Sequence, residues 1–96
     1  MKTIHKLALR ASPIQHALLG GATFLHVGMQ YGTLCVWYEG DDTYTSTYEL
    51  CIVGTGHNVD DLTRWGHVGT TQDGAFVWHV FARFVKSTAA TDASNK

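Results

Sequence analysis

The chain has 96 residues, of which 45% are hydrophobic, 11% aromatic and 16% charged, and its formal net charge is −1. This composition excludes a disordered chain and predicts a single packed domain, because so short a chain rarely divides its hydrophobic core. The near-neutral charge argues against a long nucleic acid as partner. No apolar run approaches the roughly 20 residues that span a bilayer, so we expect no membrane partner.

Glycine turns separate segments rich in threonine, valine and aromatic residues, a pattern typical of strands. Ser12 and Pro13 suit the cap and first position of a helix, so the segment 12–19 is predicted to begin as a short helical insertion. Tyr31-Gly32 and Asp73-Gly74 are predicted hairpin turns. The predicted strands cover 3–9, 22–30, 33–38, 45–53, 66–72 and 75–84. The expected fold is therefore mainly β, a small antiparallel β-sandwich or barrel with one short helical insertion.

We expect one β domain over residues 1–85 and a flexible polar tail over 86–96. Strand alternation predicts that Leu25 and Val27 face the core and that His26 faces away. The segment 75–84 is apolar on both faces, which is typical either of a central strand or of an interface between subunits. Both interpretations stay open, and a homo-oligomer is expected because the core is small.

Residues that could support metal chemistry or catalysis stand apart in the sequence. His26, Cys35, Cys51 and His79 are types that bind zinc, but each stands alone on its own predicted strand rather than in a close pair. Buried thiols and hydrogen-bonded imidazoles are the favoured interpretation, and whether the four converge on a metal stays open. No motif for an activated nucleophile is present, so we expect neither a cofactor nor an enzyme.

The segment Gly54-Thr55-Gly56-His57 is the strongest candidate for a binding site. Two glycines around a threonine let successive backbone N–H groups converge on an anion such as phosphate. Arg64 would supply charge, and Trp65 or Tyr31 would stack on a base. Thr70 repeats the pairing of a glycine with a hydroxyl. The alternative is a tight structural connection in which Trp65 belongs to the core.

Five motifs, at 21–27, 30–37, 53–57, 67–70 and 77–81, resemble a family of small uncharacterised proteins encoded mainly by bacteriophages and their hosts. The resemblance spans roughly residues 3–84, and Gly-Thr-Gly-His and Trp-His-Val-Phe are its most specific parts. It implies a protein that acts on host physiology in the host cytoplasm.

One class that fits is the viral sponge, which sequesters a cyclic-nucleotide or ADP-ribose-type immune signal without cleaving it. The alternative is a structural or interaction protein that binds a host or phage polypeptide through its apolar last strand. A third class, a metal-dependent enzyme, would need the four histidine and cysteine candidates to converge.

Overall fold

Seven strands make up the fold in a computed structural model that describes residues 1–10, 14–41, 44–59 and 61–89. Their bounds are β1 Lys2–Ala8, β2 Ile14–Leu19, β3 Thr23–Gln30, β4 Thr33–Asp41, β5 Tyr44–Gly54, β6 Gly66–Asp73 and β7 Phe76–Ala89. The described residues contain no helix, so none is long and apolar enough to cross a membrane.

The strands form two antiparallel sheets packed around one core. The first sheet has the order β1-β4-β3, and the second has the order β2-β5-β7-β6. Val36 of the first sheet and Leu50 and Val80 of the second are fully buried between them. The prediction of a mainly β fold built from antiparallel strands is therefore confirmed.

The predicted helical insertion is wrong, because residues 14–19 form β2. This strand pairs antiparallel with β5 from Ile14↔Cys51 to Leu19↔Ser46. The buried side-chain amide of Gln15 fixes the start of β2 relative to Arg10. Its oxygen accepts a hydrogen bond from the Arg10 N–H at 3.1 Å, and its nitrogen donates to the Arg10 carbonyl at 3.0 Å. Pairing with β5 outweighs the local signal for a cap. Ser12 and Pro13, which carried that signal, lie outside the described residues.

The predicted hairpin around Tyr31-Gly32 is confirmed. β3 and β4 pair antiparallel as far as Gln30↔Thr33, which leaves a two-residue turn. Both turn residues have positive φ, 52° at Tyr31 and 77° at Gly32. Positive φ at both positions matches the right-handed twist of the flanking strands, and for this reason such turns favour tight hairpins.

A bulge in β3 separates the predicted core residues. Val27 is 3% exposed, as expected, but Leu25 is 50% exposed. The register shifts between Phe24 and His26, so Leu25 has no partner on β4. The extra residue interrupts the strict alternation of faces, and Phe24 rather than Leu25 packs against the core. The prediction for Leu25 is wrong for this reason, whereas His26 is exposed as predicted.

β7 lies between β5 and β6 as far as Ala82, which is the central position that one of the two interpretations expected. Val80 faces the core, and Phe81 on the opposite face packs against His67 with ring centroids 5.2 Å apart. The turn before β7 comprises residues 74 and 75, one position later than expected. Strand pairing continues to Ala89, into the segment predicted to be a tail, and residues 90–96 lie outside the described part of the chain.

Candidate functional site

Four polar side chains form a continuous series of hydrogen bonds on the outer face of the four-stranded sheet. His79 Nε2 lies 2.6 Å from Thr55 Oγ1, and His79 Nδ1 lies 3.0 Å from Thr70 Oγ1. The same Thr70 oxygen lies 2.9 Å from His67 Nε2. We call these four residues the Thr–His chain. The Gly-Thr-Gly-His, His-Val-Gly-Thr and Trp-His-Val-Phe motifs, which are far apart in sequence, therefore meet at one place.

A second bulge, in β6, brings two of these residues to the same face. His67 and Thr70 are three positions apart and would point to opposite faces of a regular strand. The register shifts between His67 and Gly69, so His67 pairs with Phe81 and Thr70 pairs with His79. Phe81 and His79 share the outer face of β7, and their partners on β6 therefore share it as well.

The turn after β5 presents Thr55 to His79. The Thr55 N–H donates to the Val77 carbonyl at 3.0 Å, and the His57 N–H donates to the Gly54 carbonyl at 3.0 Å. Gly56 has a φ of +89°, which a side chain would strain. Since two of the backbone N–H groups are already engaged, an anion at this turn would rely on side-chain donors more than on successive backbone N–H groups.

The Thr–His chain can be polarised in either direction. A neutral imidazole has one donor and one acceptor nitrogen, and a hydroxyl can serve as both. Protons can therefore point from Thr55 towards His67, or the reverse, with every hydrogen bond satisfied. If His79 is protonated, both of its N–H groups donate, one to Thr55 and one to Thr70. The Thr–His chain thus accommodates a nearby negative charge without breaking any of its hydrogen bonds.

A cavity of about 390 Å³ lies beside the Thr–His chain. Val53 pairs with His79 across β5 and β7 and also lines the cavity, so the two features are adjacent. The connection between β5 and β6 contributes His57, Asp61 and Trp65 to the cavity wall. Hydrogen bonds from the Thr63 side chain and backbone hold the pKa of Asp61 below its usual value, so this carboxyl group stays an acceptor.

The Trp65 ring packs against a charged side chain. The guanidinium carbon of Arg83 lies 4.3 Å from the centroid of the Trp65 ring. Arg83 Nε donates to Glu49 Oε1 at 2.6 Å, and His16 Nε2 lies 2.9 Å from the other oxygen of Glu49. The hydrogen bond from Arg83, assisted by His16, holds the pKa of Glu49 below its usual value. Arg83 therefore occupies one face of the indole, and its charge is balanced by Glu49.

The structure brings most of the predicted site residues to this region. Thr55 and Thr70 belong to the Thr–His chain, and His57 and Trp65 line the cavity. Gly54, Thr55, Gly56 and His57 are consecutive residues at the end of β5. Arg64 is exposed beside Arg83 in an adjoining depression, and it forms no ion pair with another described residue. Tyr31 is the exception, because it lies on the hairpin of the other sheet and is 96% exposed.

His79, His67 and Arg83 are the residues of this region that the sequence interpretation missed. The sequence favours His79 as a hydrogen-bonded imidazole over a zinc ligand but assigns it no part in binding. Its alternation with Val80 predicts the outer face of its strand, but its register with β6 cannot be predicted from a local pattern. The position of His67 depends on the bulge as well, and the role of Arg83 depends on its contact with Trp65, which no local pattern predicts.

The four candidate zinc ligands are divided between the two sheets. His26 and Cys35 belong to β3 and β4, whereas Cys51 and His79 belong to β5 and β7. Within the described ranges, no three histidine, cysteine or acidic side chains are grouped so that they could hold a metal ion.

Comparison with known proteins places the chain in one family. Residues 1–90 match the domain of unknown function DUF7352, and the chain belongs to this family. No curated protein and no solved structure matches it.

Proposed function

We propose that this protein binds a small, planar, phosphate-bearing ligand of the cyclic-nucleotide or ADP-ribose type and holds it chemically unchanged. The observation that carries the proposal is the Thr–His chain lying beside a cavity lined by His57 and Trp65. If the protein is of phage origin, as the sequence resemblance implies, such binding would sequester a host immune signal in the host cytoplasm.

The Thr–His chain suits the phosphate end of such a ligand. Three of its polar hydrogens serve the internal hydrogen bonds, and the one left over, on the Thr55 hydroxyl or the other ring nitrogen of His67, can be donated to a phosphate oxygen. Arg64 is the nearby arginine that can turn to the ligand, because Arg83 is committed to Glu49 and Trp65.

The cavity suits the planar end of the proposed ligand. Its volume of about 390 Å³ falls within the range of about 300–1,000 Å³ that is typical of small-molecule sites. Arg83 covers one face of Trp65, so a base would stack on the opposite face or beside His57. The Asp61 carboxylate would repel a phosphate here but would accept a hydrogen bond from the amino group of a base.

The geometry favours binding over catalysis. A threonine hydroxyl 2.6 Å from an imidazole resembles an activated nucleophile, but the group on the other side of His79 is the neutral hydroxyl of Thr70. In hydrolases with a catalytic triad, a buried carboxylate at this position stabilises the imidazolium that forms. Thr70 carries no charge to do so.

Native mass spectrometry of the full chain against cyclic di- and trinucleotides and cyclic ADP-ribose isomers tests the proposal. We expect one ligand class to bind and to be recovered intact after heat denaturation. Recovery of a hydrolysed product would identify an enzyme instead. Thr55→Val should weaken binding, and Thr23→Val, at an exposed threonine on β3 of the other sheet, should not.

Arg64→Ala provides an independent test of the charged contact. Loss of a charge-assisted hydrogen bond of about 1.5–3 kcal/mol corresponds to an affinity about tenfold to hundredfold lower. Arg10→Ala is the matched control, because Arg10 is an exposed arginine that lines a different cavity. If Arg10→Ala weakened binding and Arg64→Ala did not, the ligand would lie in that other cavity.

A second candidate function is the binding of a polypeptide. It is favoured by the exposure of Phe84 and Val85 on β7, at 57% and 46%. β6 pairs with β7 only as far as Ala82, so the described residues 83–89 of β7 are hydrogen-bonded to β5 alone, and a partner polypeptide could add a strand on their other side. Folded protein that binds no member of the nucleotide panel would favour this function.

A further inference from the structure

The edge strands of the two sheets differ in how they are protected against pairing with another chain. β3 and β6 each contain a bulge, and they lie against each other where Gly69 meets Val27. β2 is short, with six residues. β1 has seven residues in regular register with β4, contains no proline, and has no strand beyond it in the described part of the chain. Lys2 and Lys6 discourage pairing in registers that oppose them, but the unpaired backbone groups of this regular edge are a template for strand addition in a register that keeps the lysines apart.

One hydrogen bond indicates which backbone groups of β1 point outwards. The Leu9 N–H, just after β1, donates to the Leu34 carbonyl at 2.8 Å. Hydrogen-bonded positions alternate along an antiparallel pair, so the odd-numbered residues of β1 bond to β4. The N–H and C=O groups of the even-numbered residues therefore point away from the sheet. These residues are Lys2, Ile4, Lys6 and Ala8.

We propose that β1 pairs antiparallel with β1 of a second copy of this chain, with His5 on the two-fold axis. Lys2 then lies opposite Ala8 of the second copy, and Ile4 lies opposite Lys6 of the second copy. All seven residues pair, and the outward groups of the even-numbered residues exchange about eight hydrogen bonds. The two three-stranded sheets become one continuous sheet.

The distribution of charge selects this register. Centring the pair on Ile4 would place Lys2 directly opposite Lys6, and centring it on Lys6 would oppose two copies of the same lysine. Directly opposed like charges destabilise a strand pair. The register centred on His5 pairs the whole strand and avoids both clashes. It also lays the aliphatic stem of Lys6 over Ile4, which is 64% exposed in the single chain.

Ile4→Pro tests the pairing, because it removes an outward N–H and leaves the bonds between β1 and β4 in place. Proline is tolerated on an edge strand where the N–H faces solvent. At micromolar concentration, light scattering should give twice 10.6 kDa for the natural chain and 10.6 kDa for Ile4→Pro. Ile4→Thr, which keeps the N–H, should remain dimeric. A monomeric natural chain or a dimeric Ile4→Pro variant would overturn the proposal.

A cysteine at the axis tests the register even if the proline variant fails to fold. Under mild oxidation His5→Cys should form a disulfide-linked dimer, because position 5 faces its own copy across the axis. Ile4→Cys faces Lys6 of the second copy and should not. The natural chain, with Cys35 buried and Cys51 half-buried, provides the background. Efficient cross-linking of Ile4→Cys and none of His5→Cys would refute this register.

Discussion

Thr70→Val is the most direct test of the Thr–His chain, because Thr70 joins the two imidazoles. Its oxygen lies 2.9 Å from His67 Nε2 and 3.0 Å from His79 Nδ1, so valine removes two hydrogen bonds at once. At about 0.5–1.5 kcal/mol for each bond, the loss is about 1–3 kcal/mol. If these bonds hold both imidazoles in the binding geometry, the affinity falls about fivefold to 150-fold.

Two measurements separate the local effect from a general one. Imidazole nitrogen NMR without ligand should show changed signals for His67 and His79 in Thr70→Val, and restored signals in Thr70→Ser, which keeps the hydroxyl. Because Thr70 is exposed, water can replace part of the lost hydrogen bonding, and the free energy of unfolding should fall by no more than the roughly 1–3 kcal/mol of the two bonds, which leaves the variant folded. Unchanged imidazole signals in Thr70→Val would refute the hydrogen-bonded chain, whatever the ligand.

Two further predictions concern stability. A Cβ at Gly69 would lie 3.0 Å from the buried Val27 side chain, so Gly69→Ala should lower the free energy of unfolding by about 1–3 kcal/mol in urea. Gly66→Ala, where the nearest atom is 3.6 Å away, is the control, and equal stability of the two variants would contradict the close packing of β3 on β6. The hydrogen bond from Arg83 lowers the pKa of Glu49 in the folded state. The stabilising effect of this bond is therefore fully present above the pKa of Glu49 in the unfolded chain, and it is lost as the pH falls through the lower pKa of the folded protein. Glu49→Gln should therefore be less stable than the natural chain near neutral pH and should approach its stability in acid, and a difference that is independent of pH would contradict this prediction.

The sequence was sufficient to predict the features that depend on neighbouring residues. The Tyr31-Gly32 turn and the placement of Val27 in the core follow from local patterns, and both hold in the structure. The helical prediction for residues 14–19 failed because pairing with β5 decides their conformation, and β5 lies about thirty residues further along the chain.

The bulges mark the limit of what alternation can predict. Each bulge adds one residue to a strand, and each changes which side chains share a face. In β3 the bulge moved Leu25 out of the core. In β6 it placed His67 beside Thr70, so the part of the candidate site that was missed depends on the same irregularity. Glycine, threonine and tryptophan in the 54–65 segment were recognisable because their chemistry does not depend on register.

The central place of β7 in its sheet also constrains the order in which the molecule can assemble. β5 and β6 follow one another in the chain, yet each is hydrogen-bonded to β7, the last strand, and not to the other. During synthesis the two would emerge before the strand that joins them, and His79 would arrive as part of that strand. Such non-local pairing closes large loops before many contacts form, and small all-β domains of this kind typically fold in milliseconds to seconds. A nascent chain that stops short of β7 would therefore lack both the Val80 part of its core and the histidine that links Thr55 to Thr70.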